Sequence, residues 1–87
     1  MFYVYVLQDE DASENFYLGS TPDLKRRLSE HNNEEGYYTS GKKWRIVYYE
    51  AYMSLKTARK REASLKKGKG RVLLIKRIKQ SLSEVSK

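Results

Sequence analysis

The chain has 87 residues, 39% hydrophobic and 33% charged, a size and balance that indicate one small soluble domain. It has no cysteine, which excludes disulfides and thiolate metal sites, and we expect a cytoplasmic location. Its longest apolar stretches, residues 2–7 and 72–75, are too short to cross a bilayer. The net charge of +7 favours polyanions such as nucleic acid as partners, although lysine can serve solubility alone.

The first half of the chain predicts a β-hairpin followed by a helix. The aromatic and β-branched run at residues 2–7 favours a strand that is covered on both faces. Residues 16–20 predict a second strand, which pairs antiparallel with the first through a polar loop. We expect Gly19 to form a turn after this strand, and Thr21 to cap a helix over residues 22–32.

The second half predicts a third strand and two more helices. Residues 44–53 favour a strand, Ser54 can cap the next helix, and residues 70–82 carry apolar side chains at helical spacing. The predicted order is therefore β-β-α-β-α-α, an α+β fold in which helices flank a three-stranded antiparallel sheet. We expect residues 1–82 to form the domain and residues 83–87 to fray.

Polar side chains flank the apolar stripe of the first predicted helix. Leu24 and Leu28 mark its buried side, and Arg27 and His31, four residues apart, lie beside this stripe at the sheet edge. Considered alone, Arg27 could pack its aliphatic stem against the core and keep its guanidinium in water. His31 could likewise be a polar residue near the helix end. Taken together, they form a candidate site.

A carboxylate interrupts the apolar face of the second predicted helix. Glu62 shares this face with Leu55, Ala58 and Leu65, and glutamate is rarely buried without a partner. Two interpretations are open: an ion pair with Arg27, or a ligand for a hard divalent cation, which prefers carboxylate oxygen. Neighbouring cations are further potential partners: Arg59, Lys60, Arg61, Lys66 and Lys67.

Tyrosine is the dominant aromatic residue, with eight tyrosines against two phenylalanines. Tyr3 and Tyr5 share one face of the first strand, and Tyr17 lies on the adjacent strand. Their hydroxyls either reach solvent at the strand edge or converge with Arg27 and Glu62 on one spot.

This ordered set of residues resembles the GIY-YIG endonuclease domain, above all its small standalone branch related to the nuclease domain of the bacterial excinuclease C subunit. The strings "YVY" at residues 3–5 and "YLG" at residues 17–19 stand where the two motifs of the family name would be. Arg27, His31 and Glu62 follow in the family order, so that the resemblance covers nearly the whole chain.

The sequence departs from the family pattern at three points. Tyr3 replaces the glycine of the first motif, and Ser20 stands where some relatives carry lysine. In addition, the asparagine that follows the glutamate in several relatives is absent after Glu62.

The resemblance implies metal-dependent hydrolysis of phosphodiester bonds in nucleic acid, with DNA favoured over RNA and DNA repair as the setting. In that scheme Glu62 holds Mg²⁺ or Mn²⁺, and Arg27 grips the phosphate oxygens. Tyr5 or Tyr17 accepts a proton from the attacking water, although the ordinary tyrosine pKa of about 10 requires nearby cations to favour the phenolate. His31 relays this proton or orients a tyrosine.

Basic residues near these positions are candidate contacts for the nucleic-acid backbone, with a solvated basic surface as the alternative. They are Lys25, Arg26, Lys42 and Lys43, with Tyr37 and Tyr38 as possible stacking surfaces.

Two other functions are compatible with the sequence. One is a non-catalytic nucleic-acid-binding module with the same fold, and the other is a basic interaction protein in which Arg27 and Glu62 form an ion pair. Metal-dependent cleavage would distinguish the enzyme from both. We expect a monomer that selects its substrate by shape or through the guidance of a protein partner, because so short a chain has little surface for reading bases.

Overall fold

Three strands and three helices follow one another in the predicted order β-β-α-β-α-α. The computed structural model describes residues 1–33 and 42–85. The elements are β1 (Phe2–Asp9), β2 (Phe16–Thr21), α1 (Leu24–Asn32), β3 (Trp44–Tyr52), α2 (Leu55–Leu65) and α3 (Gly68–Val85). The predicted α+β class and three-stranded antiparallel sheet are therefore confirmed.

The strand β1 lies at the centre of the sheet, whose order is β2-β1-β3. It pairs antiparallel with both neighbours, so that Tyr5 lies opposite Gly19 of β2 and opposite Tyr49 of β3. Residues 4–9 of β1 are all buried, as expected for a strand covered on both faces. The strand β2 is consequently an edge of the sheet.

Apolar side chains form a core on each face of the sheet. On one face, residues of β1 and β2 pack against α2 and α3: Val4, Val6, Leu18, Ala58, Leu65, Leu74 and Ile78. On the other face, residues of β1 and β3 pack against α1: Tyr5, Leu7, Trp44, Leu24 and Leu28. The helix α1 thus covers one face and the pair α2–α3 the other.

The first helix begins later than predicted because Asp23, not Thr21, is its N-cap. The Asp23 side chain accepts a hydrogen bond from the backbone N–H of Arg26 at 3.0 Å, and α1 therefore starts at Leu24. Thr21 instead supports this cap, since its hydroxyl accepts a hydrogen bond from the Asp23 N–H at 3.1 Å.

The other two helices follow the predicted pattern with two differences. Ser54 caps α2 as predicted, but Leu55 is exposed and does not belong to its buried face. The apolar stripe of α3 docks on the core as predicted, but this helix is longer than predicted and runs from Gly68 to Val85. Within the described residues, no helix has the length and apolarity that a membrane span requires.

A polar network joins β3 to α2. The Glu50 carboxylate accepts two hydrogen bonds from the Arg61 guanidinium, at 2.8 and 2.9 Å, and one each from the hydroxyls of Tyr48 and Tyr52. Burial opposes the ionisation of Glu50, but the hydrogen bonds from Arg61 and the two tyrosines outweigh it and lower the pKa of Glu50 to about 2. The ionised network therefore ties the helix that carries Glu62 to the sheet.

We expect Glu50→Gln to lower the free energy of unfolding at pH 7 by about 2 kcal/mol, after allowance for the solvent exposure of Arg61. Because folding lowers the pKa of Glu50 from its ordinary value of 4.5, this stabilisation is complete above pH 4.5 and disappears as the pH falls towards 2. Urea unfolding at several pH values should therefore show the difference between wild type and variant shrinking in acid.

Glu14→Gln is the matched control for this change. Glu14 pairs with Lys79 across the surface, and its side chain is 77% exposed, so its removal should change stability by less than about 0.5 kcal/mol. Equal losses for the two variants would contradict the role given to the Glu50 network.

Candidate active site

The candidate catalytic residues gather along the edge strand β2. Because side chains alternate along a strand, Tyr17 and Gly19 belong to the face covered by α1, and Leu18 and Ser20 to the face covered by α2. Groups held on the two faces can therefore approach the same stretch of this edge.

Gly19 makes room for the Tyr5 hydroxyl. A Cβ atom at this position would lie 2.6 Å from Tyr5 Oη, 2.9 Å from Tyr5 Cζ and 3.2 Å from Tyr17 Cε1. The first two distances are shorter than van der Waals contact, so a larger residue would displace the ring. Gly19 lies inside β2, and the expectation that it forms a turn is wrong. Because Gly19 has no side chain, the Tyr5 ring can lie close to the backbone of β2.

His31 is buried beside the two tyrosines. Its Nε2 atom lies 3.1 Å from Tyr5 Oη, at hydrogen-bond distance, and its ring centre lies 4.7 Å from that of Tyr17. Burial, and then the positive charge of Arg27, lower the pKa of His31, so that the ring is neutral at pH 7. The residue lies in the last turn of α1, as expected, but it is buried, with only 3% of it exposed.

The Tyr5 hydroxyl lies within electrostatic reach of the other candidate residues. Burial raises the pKa of Tyr5 to about 12, the Arg27 guanidinium beside it acts in the opposite direction, and the proximity of Tyr17 and Glu62 raises it further. The residue is 1% exposed, whereas Tyr17 is half-buried. Tyr5 is therefore the enclosed member of the pair and Tyr17 the accessible one.

Arg27 reaches this cluster from α1. Its side chain is 44% exposed, and Nη1 lies 3.3 Å from Oε1 of Glu30. Its Nε atom is buried and has no hydrogen-bond partner within residues 1–33 and 42–85. Arg27 and Glu62 both lie within these residues, and no ion pair joins the two side chains. The guanidinium is therefore held between Glu30 and the Tyr5 hydroxyl.

Glu62 approaches from the other face of β2. Its Oε1 atom accepts a hydrogen bond from the Ser20 hydroxyl at 2.5 Å, and its Oε2 atom lies 2.7 Å from Lys66 Nζ. Burial opposes ionisation, but the hydrogen bonds from Lys66 and Ser20 hold the pKa of Glu62 below its usual value. The side chain is 19% exposed, so it is not sealed in the core.

The donor set fits a metal ion held by one protein ligand. Within residues 1–33 and 42–85, no three His, Cys, Asp or Glu side chains lie close enough together to hold a metal ion. A centre with three or more such ligands is therefore excluded for that part of the chain. Glu62 is anionic, partly exposed and hydrogen-bonded by Ser20, which suits a hard divalent cation that keeps most of its water.

The predicted nucleic-acid contacts lie on two separate segments of the chain. Lys25 and Arg26 are exposed on α1, the helix that carries Arg27, while Lys42 and Lys43 immediately precede β3. Their role stays a prediction. Tyr37 and Tyr38 lie outside the described residues.

Two contacts of Glu62 were not assigned from the sequence. From the sequence, Ser20 is only a departure from the family pattern, and Lys66 is one of five neighbouring cations. The spacing of Lys66, four residues after Glu62 on a helix, is the signal that favours this lysine over the others.

Comparisons with known proteins agree with the resemblance seen in the sequence. The family described as the GIY-YIG catalytic domain matches residues 1–78. The chain is 43% identical over 50 residues to the structure-specific endonuclease subunit SLX1 of Meyerozyma guilliermondii, a match that covers 51% of this chain and 17% of that protein. It is 36% identical over 69 residues to a UPF0213 protein of Streptococcus pneumoniae, covering 77% of this chain and 68% of the relative.

A solved structure is also similar. The solution NMR structure of a UPF0213 protein from Bacillus halodurans has 30% sequence identity and a TM-score of 0.47, with 98% of this chain and 85% of that chain covered. The family match extends over nearly the whole chain and includes each candidate catalytic residue. The chain therefore belongs to the GIY-YIG catalytic domain family.

Proposed function

We propose that the protein is an endonuclease that hydrolyses phosphodiester bonds in nucleic acid, with DNA favoured over RNA, and that it requires Mg²⁺ or Mn²⁺. The observation that carries the proposal is the meeting of groups from both sheet faces at the edge strand. Arg27 and His31 approach the Tyr5 hydroxyl from α1, and Glu62 approaches from α2. Membership of a catalytic-domain family supports the same class of activity.

Arg27 is suited to bind the phosphate that reacts. Its guanidinium is half-exposed and lies beside the Tyr5 hydroxyl. A planar guanidinium can donate two parallel hydrogen bonds to the non-bridging oxygens of a phosphate. Because negative charge grows on these oxygens during attack, such donors stabilise the transition state more than the ground state.

Tyr17 is the better candidate for the general base. A base must reach the attacking water, and Tyr17 is half-buried whereas Tyr5 is 1% exposed. The neutral His31 ring lies against Tyr17 and at hydrogen-bond distance from Tyr5, so it can orient both phenols. Tyr5 then acts as a positioning residue, because it fixes His31.

Glu62 would hold the metal ion through its carboxylate. When bound there, a divalent cation supplies Lewis-acid polarisation of the phosphate and neutralises charge on the leaving oxygen. The Ser20 hydroxyl keeps the carboxylate oriented towards the edge of β2. Because the Meyerozyma guilliermondii relative is named a subunit, we extend the proposal to a partner protein that directs the nuclease to its substrate.

Cleavage assays with metal and with chelator test the proposed function. Purified protein is incubated with plasmid DNA, branched DNA and RNA in Mg²⁺, in Mn²⁺ and in chelator, and Arg27→Ala protein purified in parallel serves as control for contaminating nuclease. We expect metal-dependent cleavage by the wild type alone. Salt-sensitive binding without cleavage in any metal would instead support the binding module. Absence of both would contradict a nucleic-acid function.

The two tyrosines should respond differently to removal of the hydroxyl. We expect Tyr17→Phe to lower the cleavage rate about 100-fold with little change in melting temperature, because it removes the base from a half-buried position. Tyr5→Phe should lower stability by about 1 kcal/mol, because it removes a buried hydrogen bond to His31. Its loss of activity should be smaller. A larger loss of activity in Tyr5→Phe would reverse the assignment.

A further inference from the structure

Both oxygens of the Glu62 carboxylate have partners in the free protein, and the two partners differ in kind. Oε1 accepts a hydrogen bond from Ser20, a short side chain on β2. Oε2 is paired at 2.7 Å with Lys66, whose flexible side chain is 54% exposed at the end of α2. Ser20 is therefore a fixed contact, while Lys66 can leave without any change in the backbone.

We infer that Lys66 is an exchangeable counter-ion, which leaves Glu62 when a divalent cation binds and then contacts a backbone phosphate of the nucleic acid. The inference rests on the proposed function. It gives Lys66 two successive partners, the Glu62 carboxylate before metal binding and a phosphate afterwards.

Charge explains why the exchange takes place. The pair of Glu62 and Lys66 is neutral, and a divalent cation at the same carboxylate repels an ammonium group that remains beside it. Ion pairs at a partly exposed surface are weak, so that the Lys66 contact is readily given up. A lysine has a long stem and three donors that can turn to a new acceptor.

The freed ammonium group would lie next to the site where the substrate must bind. Glu62 lies at the edge of β2, within electrostatic reach of the Tyr5 hydroxyl, and Lys66 is one helical turn further along α2. A phosphate held near Arg27 and Glu62 brings neighbouring phosphates of the same strand with it. Metal and nucleic acid should therefore bind cooperatively, and this cooperativity should depend on Lys66.

Lys66→Gln tests the inference, and Lys67→Gln is its matched control. Lys67 is the adjacent exposed lysine, so both variants lose the same charge at the same end of α2. The first measurement is Mn²⁺ binding to the free protein, followed by electron paramagnetic resonance. We expect Lys66→Gln to bind Mn²⁺ about three-fold more tightly than the wild type, because the competing cation is gone, and Lys67→Gln to bind it as the wild type does.

The second measurement is DNA binding with chelator and with Ca²⁺, under conditions in which no cleavage is detected. With chelator, Lys66 remains on Glu62, and Lys66→Gln should bind DNA as tightly as Lys67→Gln. With Ca²⁺, Lys66→Gln should bind less tightly than the control, and the slope of log affinity against log salt should fall by about one. Melting curves confirm that both variants are folded.

The outcomes separate this inference from the proposed function. A wild type that neither binds Mn²⁺ nor cleaves nucleic acid contradicts the proposed function itself. A wild type that does both, with Lys66→Gln and Lys67→Gln indistinguishable in Mn²⁺ affinity and in DNA affinity, overturns the role of Lys66 alone.

Discussion

Glu62→Gln is expected to abolish metal-dependent cleavage while leaving the protein folded. Glutamine keeps the shape of the side chain and can still accept a hydrogen bond from Ser20, but it removes the charge that holds a divalent cation. Since the cation contributes several kcal/mol to the transition state, the rate should fall by about 1000-fold or more.

The stability of this variant should change little. In the structure Glu62 is paired with Lys66, not with Arg27, and the Lys66 side chain is 54% exposed. An ion pair of this kind contributes less than about 1 kcal/mol, whereas breaking a buried pair with Arg27 would cost about 3 kcal/mol or more. Thermal melts and cleavage rates across Mg²⁺ concentrations measure both effects on the same samples.

Glu50→Gln is the informative comparison, because it removes an acidic charge on β3 that pairs with Arg61 of α2. That change should lower stability and leave cleavage unchanged, the opposite of the result for Glu62→Gln. If Glu62→Gln melts well below the wild type and retains metal-dependent cleavage, Glu62 is a structural residue and the assignment of the metal site is wrong.

The sequence was sufficient to predict the fold because local patterns and the tertiary structure agree. The apolar run in β1 matches a central strand, Ser54 caps α2, and the spacing of the apolar residues in α3 matches the face that docks. The start of α1 was misplaced because Thr21 and Asp23 are both good capping residues, and the hydrogen bond to Arg26 decides between them.

The site was predicted as a set of residues but not as a set of contacts. Order, spacing and the family resemblance select Tyr5, Tyr17, Arg27 and Glu62 as candidates. They cannot show that Glu62 takes Ser20 as a partner, because that contact depends on how β2 and α2 pack across 42 residues of sequence. Burial of His31 likewise depends on the tertiary position of α1 against the aromatic face.

The role of Gly19 also depends on a contact that the local sequence does not reveal. A glycine between an apolar run and a helix cap predicts a turn, since left-handed backbone conformations favour glycine. In a strand, glycine has a second use, which is to allow another group to approach the backbone closely. The group that needs this space is Tyr5, which is fourteen residues earlier in the chain and opposite Gly19 in the β1–β2 pair.

Gly19→Ala is therefore expected to damage both stability and activity. The new methyl group would lie 2.6 Å from Tyr5 Oη and 2.9 Å from Cζ, and the ring is 1% exposed, so it has little freedom to move away. Forcing the ring aside should lower the free energy of unfolding by about 2 kcal/mol. It should also break the contact with His31 and lower the cleavage rate by about 100-fold, because the catalytic groups lose their alignment.

Gly68→Ala is the control for replacing a glycine. Gly68 has a φ of +68°, and a Cβ there would meet nothing within 4 Å, so the cost is backbone strain of about 1 kcal/mol without a steric clash. That variant should lose some stability and keep full activity. Urea unfolding and cleavage rates of both variants make the comparison.

A double variant isolates the hydroxyl as the cause. Adding Tyr5→Phe to Gly19→Ala removes the atom nearest to the new methyl group, so the double variant should be more stable than the sum of the two single effects predicts. If the effects instead add, and Gly19→Ala cleaves as fast as Gly68→Ala, then Gly19 does not position Tyr5. In that case position 19 of β2 could carry a side chain without loss of function.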